Sequence, residues 1–128
     1  MDVKRKRRKL MSLPRDYLKV AWTHYSYINA SGVTRPDTYD TSSRMTDVVF
    51  MKAGTYRLKG TNTYNKLNRN LNYRIHEYNA SDQWLRQVTY FVVTGLDSID
   101  KTFTLDHDSY IRVSMAILFF TGALTKIS

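Results

Sequence analysis

The 128-residue chain contains no cysteine, which excludes disulfides, thiolate metal sites and cysteine nucleophiles and leaves burial and sheet hydrogen bonds to hold the fold. Proline and glycine are few, at two and five residues, as in folded proteins rather than disordered or fibrous ones. The glycines also lie too far apart to form a phosphate-cradling loop. Glutamate is nearly missing, since the acidic residues are ten Asp and the single Glu77. Alanine is scarce, whereas Tyr, Thr and Val are frequent. That bias disfavours helix, because Asp competes with the helical backbone and β-branched or aromatic side chains suit a pleated surface. Long apolar runs are absent too. The longest, Met115 to Phe120, holds six residues, far short of the roughly 18 that a membrane span requires. The basic N-terminus leads into Leu10-Met11-Ser12-Leu13-Pro14, which lacks the apolar core of a secretory signal. Neither a signal peptide nor a membrane partner is expected.

What is present, 42% hydrophobic and 24% charged residues, suits one folded domain with a real core. The formal charge of +9 is unevenly spread. Lys4, Arg5, Lys6, Arg7, Arg8 and Lys9 stand against Asp2 alone, while the remainder carries 14 basic and 10 acidic residues. Like charges repel and bury nothing, so residues 1–13 read as a basic arm, disordered when free, ahead of a domain over 14–128. Six clustered cations suit a phosphate backbone, an anionic membrane or an acidic protein patch, and electrostatics alone does not choose among them. The adjacent Leu10-Met11-Ser12-Leu13 could anchor in a groove.

From Lys19 onward, strand-like segments alternate with turns. Lys19 to Asn29 reads as a first strand ending at Ala30-Ser31-Gly32, and Val33 to Ser43 as an irregular connection with at most a short edge strand. Arg44 to Met51 and Thr55 to Lys59 flank a tight turn at Lys52-Ala53-Gly54, and Gly60 to Asn70 reads as a long loop. Leu71, Tyr73, Ile75 and Glu77 alternate with Asn72, Arg74, His76 and Tyr78, the pattern of a half-buried strand. Gln83 to Thr94, Lys101 to Leu105 and Tyr110 to Phe120 complete the set, with a helical turn allowed only over Arg15 to Val20. About seven or eight strands without a convincing helix predict an all-β fold, an antiparallel β-sandwich or barrel.

The order of short motifs resembles a domain of phage and prophage minor structural proteins. Trp22, Ile28-Asn29-Ala30-Ser31-Gly32, Arg44, Val49 and Lys52-Ala53-Gly54-Thr55-Tyr56 are similar to its opening. Tyr73-Arg74-Ile75-His76-Glu77-Tyr78-Asn79, Trp84-Leu85, Thr102-Phe103-Thr104-Leu105 and Tyr110-Ile111-Arg112-Val113-Ser114 are similar to its later part. The resemblance covers residues 22–115. It implies a jelly-roll sandwich like that of carbohydrate-binding modules, used in tail fibres, baseplates and head fibres, and it does not imply an enzyme. This chain departs from the usual setting in being a lone domain with a basic arm.

Catalytic chemistry finds little footing. His24, His76 and His107 are the available bases, and none lies in a nucleophile motif. Glu77 has no preferred carboxyl partner for glycoside hydrolysis. Asp106-His107-Asp108 could hold a cation, yet a polar turn uses the same residue types for backbone hydrogen bonds, so no metal or other cofactor is expected. Sugar binding would need exposed aromatics near amide or charged groups, which points to Tyr64 with Asn62 and Asn65, and then to Trp84. Asn29-Ala30-Ser31 and Asn79-Ala80-Ser81 match glycosylation sequons, a pattern common by chance. Met115 to Phe120 is apolar on both faces, so either the N-terminal segment covers it or Phe119 and Phe120 form a subunit interface of a dimer or trimer.

These observations predict a non-enzymatic virion structural protein, a head-fibre, decoration or tail-appendage subunit docking by its arm on capsid, connector or tail. A host-glycan receptor-binding module is the alternative. Nucleic-acid binding through the arm is the third, recognisable by affinity that falls steeply with salt over about six neutralised phosphates.

Overall fold

A computed structural model of the chain describes residues 15–23, 25–37, 43–63 and 70–128. Ten strands occur among them: β1 (Ser26–Ile28), β2 (Thr34–Pro36), β3 (Arg44–Met45), β4 (Val49–Met51), β5 (Gly54–Asn62), β6 (Asn70–Tyr78), β7 (Trp84–Thr94), β8 (Asp97–Leu105), β9 (Ser109–Met115) and β10 (Phe120–Lys126). All pairings are antiparallel, and among the described residues the only helical element is a 3-10 turn at Ile117–Phe119. No helix among the described residues is long and apolar enough to cross a membrane. The all-β expectation holds. The strand count exceeds seven or eight because β1 to β4 are fragments of two or three residues.

One sheet has the order β10-β5-β8, and the other runs β3-β9-β6-β7 with β4 also paired to β9. Consecutive strands from β4 to β10 thus alternate between sheets except at the β6-β7 hairpin, which is the Greek-key connectivity of a jelly roll. The edge beyond β10 is occupied by chain without regular strand: Tyr17 N–H donates to the Leu124 carbonyl at 2.8 Å, and Asp16 Oδ1 accepts from Leu124 N–H at 3.1 Å. Residues 16–19 form a tight turn, with Lys19 N–H bonded to the Asp16 carbonyl, and not the helical turn allowed there.

The core lies between the sheets. Period-two alternation sends Tyr56 and Leu58, Leu71, Tyr73 and Ile75, Ile99, Phe103 and Leu105, Ile111, Val113 and Met115, and Leu124 inward. Each such large apolar side chain contributes about 1.5–3 kcal/mol by leaving water. Tyr56 stacks on Phe103 at 5.6 Å, and Tyr73 meets Phe91 at 5.1 Å.

Several expected boundaries move: the strand expected over Arg44 to Met51 is split into β3 and β4, and the one expected from Lys101 begins at Asp97. The first strand shrinks to Ser26–Ile28, because Trp22 makes only an isolated bridge to Thr46 and donates its indole N–H to the Leu18 carbonyl. Gly60 does not break the chain: β5 continues to Asn62, with Gly60 opposite Gly122 of β10. A Cβ at either glycine would strike the Phe120 ring, so the pair is a slot for that ring. Tyr110 to Phe120 is not one strand. β9 ends at Met115, and Ala116 with the 3-10 turn carries the chain to the opposite sheet. The run is apolar on both faces because it passes from one sheet to the other, with Met115 and Ala116 buried, Ile117, Phe119 and Phe120 packed partly against the core, and Leu118 left in solvent.

Candidate functional site

The β3-β9-β6-β7 sheet carries the polar chemistry on its outer face. Because alternate side chains point to opposite sides of a strand, the inward Leu71, Tyr73 and Ile75 leave Asn70, Asn72, Arg74 and His76 facing out. Ser114 and Arg112 do the same on β9. The β1-β2 hairpin lies across this face, tied down where Ile28 N–H donates to Ser114 Oγ at 2.9 Å.

Beside the hairpin is a cleft of about 210 Å³ whose lining includes Tyr27, Asp37, Ser43, Asn72, Arg74 and Ser114. Arg74 is held in place by two neighbours on β7: Nη1 donates to Gln87 Oε1 at 2.8 Å, and the guanidinium sits 4.7 Å from the centre of the Tyr90 ring. Asp37 is buried and accepts from Ser43 N–H at 2.8 Å. An arginine whose guanidinium already lies over a ring, an exposed amide and a tyrosine around a small polar hollow can recognise a hydroxylated or anionic group.

Under the hairpin, His76 is fully buried, and its Nδ1 accepts the Trp84 indole N–H at 3.0 Å. That bond places the imidazole proton on Nε2, which lies near the Ile28 backbone without a hydrogen bond of good geometry. Burial, with Arg74 nearby, pushes the His76 pKa down to about 4, so the ring is neutral at pH 7.

A second polar cluster closes one end of the sandwich. Glu77 is buried; its Oε1 accepts from Arg86 Nε at 2.8 Å and its Oε2 meets His107 Nε2 at 2.6 Å. His107 Nδ1 meets Asp106 Oδ1 at 2.5 Å. Burial alone would raise the Glu77 carboxyl, but the hydrogen bonds from His107 and Arg86 outweigh it and hold it below the usual carboxylate range. Hydrogen bonds to Glu77 and Asp106 hold the His107 imidazole above its ordinary value. Both imidazole nitrogens face carboxylates, so neither is left to draw a proton from a hydroxyl. Asp108 accepts from Ala53 N–H at 2.9 Å and pairs with Lys52 at 3.2 Å. The Asp106-His107-Asp108 turn thus latches onto its neighbours, and among the described residues no group of three or more acidic or histidine side chains is arranged to hold a metal.

The two Asn-Ala-Ser triplets form twin turns. Asn29 Oδ1 accepts from Ser31 and Val33 N–H, and Asn79 Oδ1 from Ser81 and Gln83 N–H, at 2.9–3.0 Å. Each turn then places a residue at positive φ, Gly32 at 80° and Asp82 at 63°. Repetition of the triplet has a structural cause, because the Asn side chain replaces a backbone acceptor in both hairpins.

The expected site residues fare differently. Lys4, Arg5, Lys6, Arg7, Arg8 and Lys9, together with Tyr64, Asn65 and His24, lie outside the described residues. Asn62 is not a surface amide: it is fully buried and donates from Nδ2 to the Gly95 carbonyl at 2.5 Å. Trp84 is not an open platform, since Gly32 sits against its ring and His76 takes its N–H. Phe120 turns inward onto the Gly60-Gly122 slot, and Phe119 packs partly against the core, leaving Leu118 as the side chain of that turn in solvent, 64% exposed. The structure does not bring Asn62 and Trp84 together. Sequence reasoning overlooked Arg74 and Asn72, although the alternation along β6 had already placed both on the outward face. Comparison with protein-family models, curated proteins and solved structures finds no match.

Proposed function

We propose that the chain is a non-enzymatic structural subunit of a bacteriophage-like virion, a head-fibre, decoration or tail-appendage protein that docks through Lys4 to Lys9. The observation that carries this reading is the jelly-roll strand order in a chain that also holds six consecutive cations. A sandwich stabilised by its own core does not need those cations to fold, so they are available for an acidic surface of a capsid, connector or tail protein. Clusters that would otherwise suggest catalysis are occupied in closing the sandwich, as at Glu77 and His107. The test is incorporation: a chain reduced to residues 14–128 should fold as the full chain does and be missing from purified particles. Normal incorporation of the shortened chain would remove the arm from the docking role.

A second reading, host-glycan binding, is favoured by the cleft beside the β1-β2 hairpin. It moves the sugar contacts from Trp84 and Asn62 to Arg74, Asn72 and Tyr27. A glycan array probed with the full chain and with Arg74→Ala should show a sugar-dependent signal that the variant loses by at least about tenfold, the scale of one charge-assisted hydrogen bond. An unchanged signal, or none for the full chain, counts against it.

A further inference from the structure

β7 is the end strand of its sheet, paired with β6 on one side and with no other strand among the described residues. At 11 residues it is the longest strand, and Val88-Thr89-Tyr90-Phe91-Val92-Val93-Thr94 carries no charge. An unpaired edge of this kind is a template for another strand, and proteins normally blunt such edges with charge, proline, short strands or covering chain. The other edges here are blunted in those ways. β8 carries Asp97, Asp100 and Lys101; β2 ends in Pro36; β3 and β4 are two- and three-residue pieces; and Tyr17 covers β10. On the outer face of β7, by contrast, Tyr90 is 50% and Val92 45% exposed, with exposed Leu85 and Leu96 at either end.

We infer that the β7 edge is a pairing surface for the β7 edge of a second copy of this chain, joining two sheets into one across a two-fold axis. The inference stands independently of the virion reading. The occupant follows from the strand itself. Register shifts between Ile75 and His76 and between Glu77 and Tyr78 make the stretch 84–88 irregular, which leaves Thr89 to Thr94 as the regular edge. Directly opposed residues in an antiparallel pair share a face, so a two-fold pairing must set like parity against like parity. Centred on Phe91, it puts Tyr90 against Val92 of the second copy, twice, and Thr89 against Val93. Aromatic and β-branched pairs of this kind favour association. The one charged residue of β7, Arg86, falls outside the pairing and is already neutralised by Glu77, so no like charges oppose each other. β8, the other edge on this side, would set Asp97, Asp100 and Lys101 into any similar contact.

The test uses the full chain. Wild-type protein at tens of micromolar should sediment as a dimer, and Val92→Lys and Tyr90→Lys, both at exposed positions, should sediment as monomers with unchanged circular dichroism. Because the chain has no cysteine, Tyr90→Cys mixed with Val92→Cys should give a mixed disulfide under mild oxidation, in excess over either variant alone. A wild-type monomer overturns the inference. So does a dimer that both Lys variants leave intact, which would place the contact elsewhere, or a dimer in which the mixed disulfide fails to form.

Discussion

Replacing Gly32 by Ala tests how the β1-β2 hairpin is seated on the sheet. Gly32 has φ of 80°, and a Cβ built there would overlap the indole of Trp84. An L-residue in this backbone region costs about 1–2 kcal/mol, and forcing a methyl into a packed contact costs about 1–3 kcal/mol more. The two effects share one atom but act on different coordinates, backbone and ring. A loss of about 2–5 kcal/mol is therefore expected, unless the hairpin lifts as a unit and caps it. Asp82 is the internal control, standing at the equivalent place in the twin turn with φ of 63° and already bearing a Cβ. Asp82→Ala removes an ion pair at 3.3 Å with the mostly buried Arg112 and gives up the tolerance of aspartate for this backbone region, but meets no ring, so it should lose only about 1–2 kcal/mol. Urea unfolding followed by circular dichroism measures both. Equal losses for Gly32→Ala and Asp82→Ala would refute the claim that Gly32 is required by the Trp84 contact.

Leu124→Ala removes a fully buried side chain from between the sheets and should cost about 2–5 kcal/mol in the same assay. The histidines should separate in an NMR titration, with His107 titrating above its ordinary value because of Glu77 and Asp106, and His76 at about 4 because it is buried. In stability, the raised His107 contributes below the ordinary imidazole value of 6.5 and loses that contribution as pH rises through its folded value. The depressed Glu77 contributes above the ordinary carboxylate range and loses it as pH falls through its folded value, while neutral His76 adds a loss between pH 6.5 and about 4. Glu77→Gln should therefore flatten the alkaline side of the pH-stability curve, and an unchanged curve would contradict the His107 pairing.

Local alternation made β6 legible, because Leu71, Tyr73 and Ile75 declare one face without reference to the rest of the chain. All-β character was legible for the same reason, through β-branched and aromatic segments of strand length. What was not legible depends on partners distant in sequence. Gly60 looked like a breaker because its meaning lies in Gly122 and Phe120, more than fifty residues away. Met115 to Phe120 looked like a strand with two apolar faces because nothing local announces a crossing between sheets at Ala116. Asn62 looked like a surface ligand because the Gly95 carbonyl that buries it belongs to another turn. Glu77 with His107 escaped notice because the two residues lie thirty positions apart and meet only when the β8-β9 turn folds over the end of β6.

The proposal that the chain is a docked virion subunit is tested most directly by amine cross-linking of intact particles followed by mass spectrometry. Lys4, Lys6 and Lys9 offer three reactive amines within the arm. Cross-links from these lysines to a capsid, connector or tail protein are the predicted result, and particles that lack the chain, or in which these lysines cross-link to no other virion protein, would contradict it.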